Sequence, residues 1–195
     1  LAEYQDKRFS IKNPKRSFNQ YLNKEEGKQE EFGYRESKNY GSVRQYFSEM
    51  SNGMFTPLFD LVGPVTLPEN MTYYGGTSSK GNDERTAQMV VDACELVKDS
   101  VDFSLYDSNN DGYVDLVYVI YAGYGQSMGA ANNTVWPKAT YVRSQAEYNG
   151  KKIYRAGVNN ELIGNEKTFN GEPAITGLGL FIHEFSHCLG LPDFY

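Results

Sequence analysis

The chain has 195 residues, of which 39% are hydrophobic, 14% aromatic and 23% charged, and its formal net charge is −6. This length suits one compact domain, and the high aromatic content argues against a disordered chain. The acidic balance argues against nucleic acid as a partner, because phosphate binding needs clustered Lys and Arg. No stretch approaches the roughly 18 apolar residues of a membrane span. The oligomeric state stays open.

Two amphipathic helices and a loop are predicted near the start of the chain. Residues 14–24 carry apolar side chains at helical spacing, and the polar run that follows to residue 38 predicts a mobile loop. A second helix is predicted within residues 41–53, where Ser42 can cap the N-terminus and Gly53 the C-terminus.

The middle of the chain predicts one helix and a central strand. Residues 54–68 are broken by proline and predict irregular extended chain or an edge strand. Residues 84–98 carry an apolar stripe with acidic residues early and Lys98 late, which favours a helix. The nearly continuous apolar run 114–122 is typical of a central strand buried on both faces.

Further strands and a final helix are predicted in the last third. A glycine-rich loop at 123–133 precedes two extended stretches, 134–143 and 151–158, with a hairpin signal at Asn149–Gly150 between them. The final helix is predicted from about Thr176 to Leu189. Together the elements predict an α/β fold, a twisted mixed sheet with the middle helix and the final helix packed behind it.

The only two histidines, His183 and His187, lie four residues apart on the final helix. With about 3.6 residues per turn they point from one face and can grip one small cation. Neutral imidazole is a favoured zinc ligand, and a catalytic zinc takes three protein ligands and keeps a fourth position for water. Gly190 and Pro192 end the helix, so the chain can turn back and present Asp193 as the third ligand.

Glu184 has the position of a general base. It projects about 100° from His183 around the helix, which suits a proton acceptor better than a metal ligand. A zinc ion activates water, and this carboxylate can pass the water's proton to a leaving amine, which is the chemistry of peptide hydrolysis. A chance HExxH motif is the alternative, against which the helix ending and the later carboxylate argue. Cys188 projects about 100° from His187, which favours a buried apolar cysteine over a further ligand.

The terminal segment HEFSHCLGLPDFY, residues 183–195, closely resembles the HExxHxxGxxD signature of the immune inhibitor A family of metallopeptidases. Residues 41–55 are similar to the helix and turn near the start of that family's catalytic domain, and residues 107–125 to its acidic loop and central strand. The resemblance implies a zincin-type domain and a secreted zinc endopeptidase, usually made as a precursor, that acts on protein or peptide substrates.

The family pattern places zinc binding on His183, His187 and Asp193, and the general base on Glu184. One departure concerns the residue after a Trp-Pro or Trp-Ser pair. Members of the family often have His there, whereas this chain has Lys138, so no role is carried over to that position.

A second departure concerns the extent of the domain. Zincin domains continue into a C-terminal subdomain that walls the cleft, whereas this chain stops at Tyr195. Residues 1–195 are therefore expected to be a single catalytic domain, trimmed from a longer precursor and incomplete at its C-terminus. The substrate is expected to add as a strand along a sheet edge drawn from residues 123–146.

The segment DSNNDGYVD, residues 107–115, predicts a structural calcium site. Calcium favours several oxygen ligands on a tight loop. The expected ligands are Asp107, Asn109, Asp111, the carbonyl of Tyr113, and Asp115. The twelfth position is Tyr118 rather than Glu, and a strand follows, unlike an EF-hand. An Asx-rich turn that merely connects two elements remains the alternative.

Two other functions stay open. A non-catalytic, calcium-stabilised extracellular module, or an inactive fragment of the peptidase, would bind zinc without cleaving peptides. The enzyme predicts turnover that is lost when Glu184→Gln removes the base. A metal-dependent hydrolase that acts on something other than peptide is the third possibility, against which the family resemblance argues.

Overall fold

The computed structural model describes residues 1–25, 39–76, 83 and 85–193. The helices in this part of the chain are α1 Pro14–Asn23, α2 Val43–Met50, α3 Met71–Tyr74, α4 Thr86–Val97 and α5 Leu178–Cys188. The strands are β1 Ala2–Glu3, β2 Val65–Thr66, β3 Tyr113–Val114, β4 Val117–Tyr124, β5 Lys138–Tyr141, β6 Glu147–Tyr148, β7 Lys151–Ile153 and β8 Arg155–Leu162. The predicted loop lies at 26–38, outside the described residues.

Within the described part of the chain, the main sheet has five strands in the order β2-β1-β4-β8-β5. Its first four strands are parallel, whereas β5 runs antiparallel to β8, with Lys138 opposite Val158 and Tyr141 opposite Arg155. One edge of the sheet is therefore β5, which falls within the range expected to supply it. The other edge is β2, so the proline-broken segment does contain an edge strand.

A smaller sheet has the order β3-β7-β6. Its β6–β7 hairpin turns at Asn149 and Gly150, whose φ angles of 49° and 75° are the left-handed values that a two-residue hairpin turn requires. The prediction of a single strand over residues 114–122 is wrong in one respect. Val114 pairs with β7 in the smaller sheet, and the long central strand β4 begins only at Val117.

Helices cover both faces of the main sheet. Alternate β4 residues point to opposite faces, so Val119 and Tyr121 pack in one apolar cluster with α4, whereas Ile120 packs in another with Phe181 and Phe185 of α5. The expectation that the middle and final helices both pack behind the sheet is therefore corrected. They lie on opposite faces, because β4 presents large apolar side chains to each of them.

The other helix predictions agree with the structure within a few residues. Ser42 caps α2 by accepting a hydrogen bond from the Gln45 N–H at 3.1 Å. The helix ends at Met50, and Gly53, with φ 79°, closes the turn by donating to the Ser48 carbonyl at 2.7 Å. Among the described residues, no helix is long and apolar enough to cross a membrane.

Candidate metal centre

The helix α5 presents its histidines away from the sheet. Phe181 and Phe185 are 1% and 4% exposed and fix the inner face of the helix. The His183 and His187 side chains, one turn apart, remain 41% and 23% exposed. Gly190, with φ 97°, ends the helix as predicted, and its N–H donates to the His187 carbonyl at 2.9 Å.

Three candidate ligand atoms converge beyond this helix end. The Nε2 atoms of His183 and His187 are 3.2 Å apart, and Asp193 Oδ1 lies 3.6 Å and 3.1 Å from them, respectively. Ligands about 2.0 to 2.1 Å from a tetrahedral zinc ion are separated by about 3.3 Å. The three atoms therefore fit the ligand positions around a zinc ion. Because each of these atoms offers a lone pair, contacts this short are favourable only with a proton or a cation between them.

The tautomer of His187 is set by the turn that follows the helix. Its Nδ1 lies 2.8 Å from the Leu191 carbonyl, which can only accept, so Nδ1 carries the proton and donates. In the neutral ring this leaves the lone pair on Nε2 free for a metal. The same hydrogen bond raises the pKa of His187.

Glu184 lies between the histidines and the edge strand. The side chain is 7% exposed, and Oε2 accepts a hydrogen bond from the Ala139 N–H of β5 at 3.0 Å. Its carboxylate and the ring nitrogens of His183 and His187 all lie within 4.8 Å of one another. Burial raises the pKa of Glu184, and His183 opposes that rise. A partly desolvated carboxylate beside a candidate metal position suits proton transfer.

Lys138 takes part in a contact on the other side of β5. Its ammonium pairs with the Asp83 carboxylate at 2.8 Å, and the same Asp83 oxygen accepts from the Trp136 N–H at 2.8 Å. The residue that departs from the family pattern thus anchors the start of the edge strand. Cys188, the last residue of α5, is buried, as the sequence favoured.

The acidic loop is held by its own hydrogen bonds. The Asp107 carboxylate accepts from the backbone N–H groups of Asp111 and Gly112, both at 3.0 Å, and pairs with Lys151 at 2.5 Å. Lys151 lowers the pKa of Asp107. The other expected calcium ligands also bond locally: Asn109 to Asp111, Asp111 to the Tyr113 N–H, and Asp115 to the Ser108 N–H. These bonds are those of an Asx-rich turn, and calcium binding stays a prediction.

The structure adds a residue that the sequence did not predict. Glu161 in β8 is completely buried and accepts hydrogen bonds from the N–H groups of Ser10 at 2.6 Å, Ile11 at 3.0 Å and Gly123 at 2.9 Å. Burial raises its pKa to about 7. Its own carbonyl accepts from the Thr176 N–H at 2.8 Å, just before α5. No local pattern could have revealed it, since two of its partners lie some 150 positions away in sequence.

The mixed α/β fold and the group of histidines and carboxylates at the end of α5 are consistent with a metallopeptidase domain. Residues 5–195 match the family described as "Immune inhibitor A peptidase M6, catalytic domain". The chain belongs to this family, as the terminal motif implied.

Two relatives show how far the similarity extends. The chain is 27% identical over 230 residues to Immune inhibitor A of Bacillus thuringiensis subsp. alesti, which covers 100% of this chain and 32% of that protein. It is 25% identical over 178 residues to Pre-pro-metalloprotease PrtV of Vibrio cholerae serotype O1, which covers 81% of this chain and 19% of that protein. The chain thus spans no more than 32% of the length of these curated relatives.

Proposed function

We propose that this chain is the catalytic domain of a secreted zinc-dependent endopeptidase. The observation that carries the proposal is the convergence of His183 Nε2, His187 Nε2 and Asp193 Oδ1 at separations of 3.1 to 3.6 Å. A carboxylate on the same helix borders that point and is held by the edge strand. Secretion rests on the family resemblance, and fractionation of producing cells from their medium tests it.

His183, His187 and Asp193 would hold the zinc ion. When bound, zinc supplies a Lewis acid that acidifies a water molecule and polarises the peptide carbonyl. Glu184 takes the proton from the attacking water and delivers it to the amide nitrogen as the C–N bond breaks. The Ala139 N–H holds Oε2 and fixes the carboxylate's direction, which leaves Oε1 to face the water. Burial strengthens this base by raising its pKa.

The substrate peptide would lie along the free edge of β5. In an antiparallel pair, alternate residues direct their backbone groups to opposite sides. The Ala139 N–H points to Glu184 rather than to β8, so the backbone groups of Ala139 and Tyr141 lie on the free edge. Because Glu184 takes the Ala139 N–H, a peptide would pair with the Ala139 carbonyl and with the backbone of Tyr141. An extended peptide can hydrogen-bond there and bring one carbonyl beside Glu184.

The test combines zinc content with cleavage of an unfolded protein, for the wild type, Glu184→Gln, Asp193→Asn and the surface control Glu147→Gln. We expect one zinc per chain and turnover in the wild type and the control. Glu184→Gln should keep its zinc and lose activity by at least about a hundredfold. Asp193→Asn should lose zinc affinity, because a neutral amide oxygen is a weaker ligand than a carboxylate.

Three outcomes would contradict the proposal or a part of it. A folded wild type that holds zinc without cleaving would favour the non-catalytic module or the inactive fragment. A folded chain that takes up no zinc when supplied with it would remove the site itself. Activity that persists in Glu184→Gln would overturn the assignment of the base.

A further inference from the structure

Three tyrosine rings form a continuous exposed surface beside the edge strand β5. Tyr141 at the end of β5, Tyr154 before β8, and Tyr113 in β3 are 51%, 51% and 42% exposed. The ring centroids of Tyr141 and Tyr154 are 5.1 Å apart, and those of Tyr154 and Tyr113 are 5.9 Å apart. Single exposed aromatic residues are ordinary, whereas contiguous apolar patches mark binding surfaces. These three residues are called the tyrosine ladder below.

The ladder is attached to the metal helix through Arg155. The Arg155 guanidinium lies 5.6 Å from the centre of the Tyr141 ring and donates to the Cys188 carbonyl at 2.5 Å. Cys188 is the last residue of α5. Tyr141 therefore lies on the α5 face of the sheet and is fixed relative to the histidines, because one guanidinium contacts both elements.

The spacing along β5 places the ladder within reach of the same peptide that reaches Glu184. Ala139 contacts Glu184, and Tyr141 follows two residues later, about 7 Å along the strand. Side chains of a paired peptide alternate faces, so the residue opposite Ala139 and the residue opposite Tyr141 both point towards α5. If the peptide adds antiparallel, which is the more stable pairing, the residue opposite Tyr141 lies on the N-terminal side of the cleaved bond.

A cavity next to the ladder has room for a large side chain. Its volume is about 420 Å³, and Tyr113, Tyr154, Arg155 and Cys188 line it together with the acidic loop. Two of the loop residues that line it are Asp111 and Asp115. These carboxylates disfavour an acidic side chain, and the rings provide flat apolar area for an aromatic or large aliphatic one.

We propose that the tyrosine ladder is a specificity subsite that receives a large aromatic or aliphatic side chain of the peptide, two or three residues before the cleaved bond. The inference rests on the proposed peptidase function and adds a sequence preference to it. Tyr141 is the central residue of the subsite, because it alone belongs to both the edge strand and the ladder.

The experiment uses quenched fluorescent peptides with one fixed cleavage site, in which Phe, Leu, Ala, Lys or Asp is placed in turn at each of about four positions on either side. Phe at the second or third position before the bond should raise kcat/KM about tenfold over Ala, as expected for one aromatic contact with its buried area. Tyr141→Ala should abolish that preference and leave the other positions unchanged. Tyr73→Ala, which removes a half-exposed tyrosine on α3, is the matched control and should keep the preference.

A parallel measurement does not depend on turnover. Binding of the same peptides to zinc-loaded Glu184→Gln, followed by fluorescence anisotropy, should show the same order, and adding Tyr141→Ala should remove it. Binding with the Phe preference but no cleavage by the wild type would support the subsite and refute the peptidase. Four outcomes would overturn the subsite without contradicting the peptidase proposal. They are cleavage with no preference for Phe, a preference for Lys, a preference at a position after the cleaved bond, and a preference that Tyr141→Ala does not remove. If the wild type cleaves no peptide and the Glu184→Gln variant binds none, both the peptidase proposal and the subsite proposal are overturned.

Discussion

Replacing Glu161 by glutamine tests how the buried carboxylate couples folding to pH. The side chain is completely buried and receives three backbone N–H groups from two distant segments. The hydrogen bonds favour the ionised form, but burial outweighs them and raises the pKa from 4.5 to about 7. The folded chain therefore binds this proton more tightly than the unfolded chain does.

The size of the effect follows from that shift. A difference of about 2.5 pKa units corresponds to about 3 kcal/mol in the free energy of unfolding. This stabilisation is complete below about pH 4.5 and is lost as the pH rises through about 7. The side-chain amide introduced by Glu161→Gln would not titrate, and its nitrogen would face at least one of the N–H donors, which costs about 1 to 3 kcal/mol. The variant should thus be clearly less stable than the wild type at low pH, and the gap should shrink as the pH rises.

Urea unfolding between about pH 5 and about pH 8 measures this gap. Glu147→Gln, which removes an exposed carboxylate on β6, is the control and should change the pH dependence little. Equal pH slopes for the wild type and Glu161→Gln would refute the reasoning. A gap that widens with rising pH would show that the three N–H groups dominate and that the pKa of Glu161 lies below its ordinary value.

Three further measurements test the packing behind the site and the acidic loop. Gly157→Ala should lower the free energy of unfolding by about 1 to 3 kcal/mol, because the added Cβ would overlap the Tyr118 ring, and urea unfolding measures the loss. In Gly179→Ala on α5, the added Cβ would have no atom of the described residues within 4 Å apart from its chain neighbours and the backbone of its own helix. This variant should therefore raise the free energy of unfolding by about 0.5 to 1 kcal/mol. Changes of the same sign for both glycines would contradict this reasoning. If the acidic loop binds calcium, millimolar calcium should raise the Tm measured by differential scanning fluorimetry. Lys151→Met should enlarge this rise, because it removes the ion pair that occupies Asp107. If calcium leaves the Tm of both proteins unchanged, the loop is an Asx-rich turn and not a calcium site.

The elements that the sequence predicted well are those whose signals are local. The spacing of His183 and His187, the left-handed Gly190 and the Ser42 cap are each set within one or two turns, and the structure reproduces them. The turn at Asn149–Gly150 belongs to the same class, because its two left-handed residues are specified by the dipeptide itself. The strands on either side of it were not predicted: β6 lies between the two predicted extended stretches, and the stretch 151–158 divides into β7 and β8, which lie in different sheets.

The elements that were missed depend on contacts between distant segments. The apolar run from Val114 looks continuous, yet Val114 pairs with β7, whereas the pairing with β8 begins only at Val117. Only the positions of β7 and β8 decide where the run is broken. The placement of α4 and α5 on opposite faces of the sheet was missed for a similar reason. Hydrophobic periodicity shows which side of a helix is apolar, but it does not show on which face of the sheet the helix packs. In the sequence, Glu161 is an ordinary polar residue near the end of a strand. Its hydrogen bonds to the backbone amides of Ser10 and Ile11 become evident only in the folded chain.

The site itself combines both kinds of information. The motif supplies two ring nitrogens by helical spacing, but the third candidate ligand depends on the turn after α5, where Gly190 reverses the chain and the Leu191 carbonyl fixes the His187 tautomer. One short segment thus ends the helix, orients His187 and places Asp193 near both histidines. Glu184 in turn depends on β5, which is contributed by residues some 45 positions earlier. The motif therefore specifies the chemistry, and the meeting of α5 with β5 determines where a peptide can be presented to it.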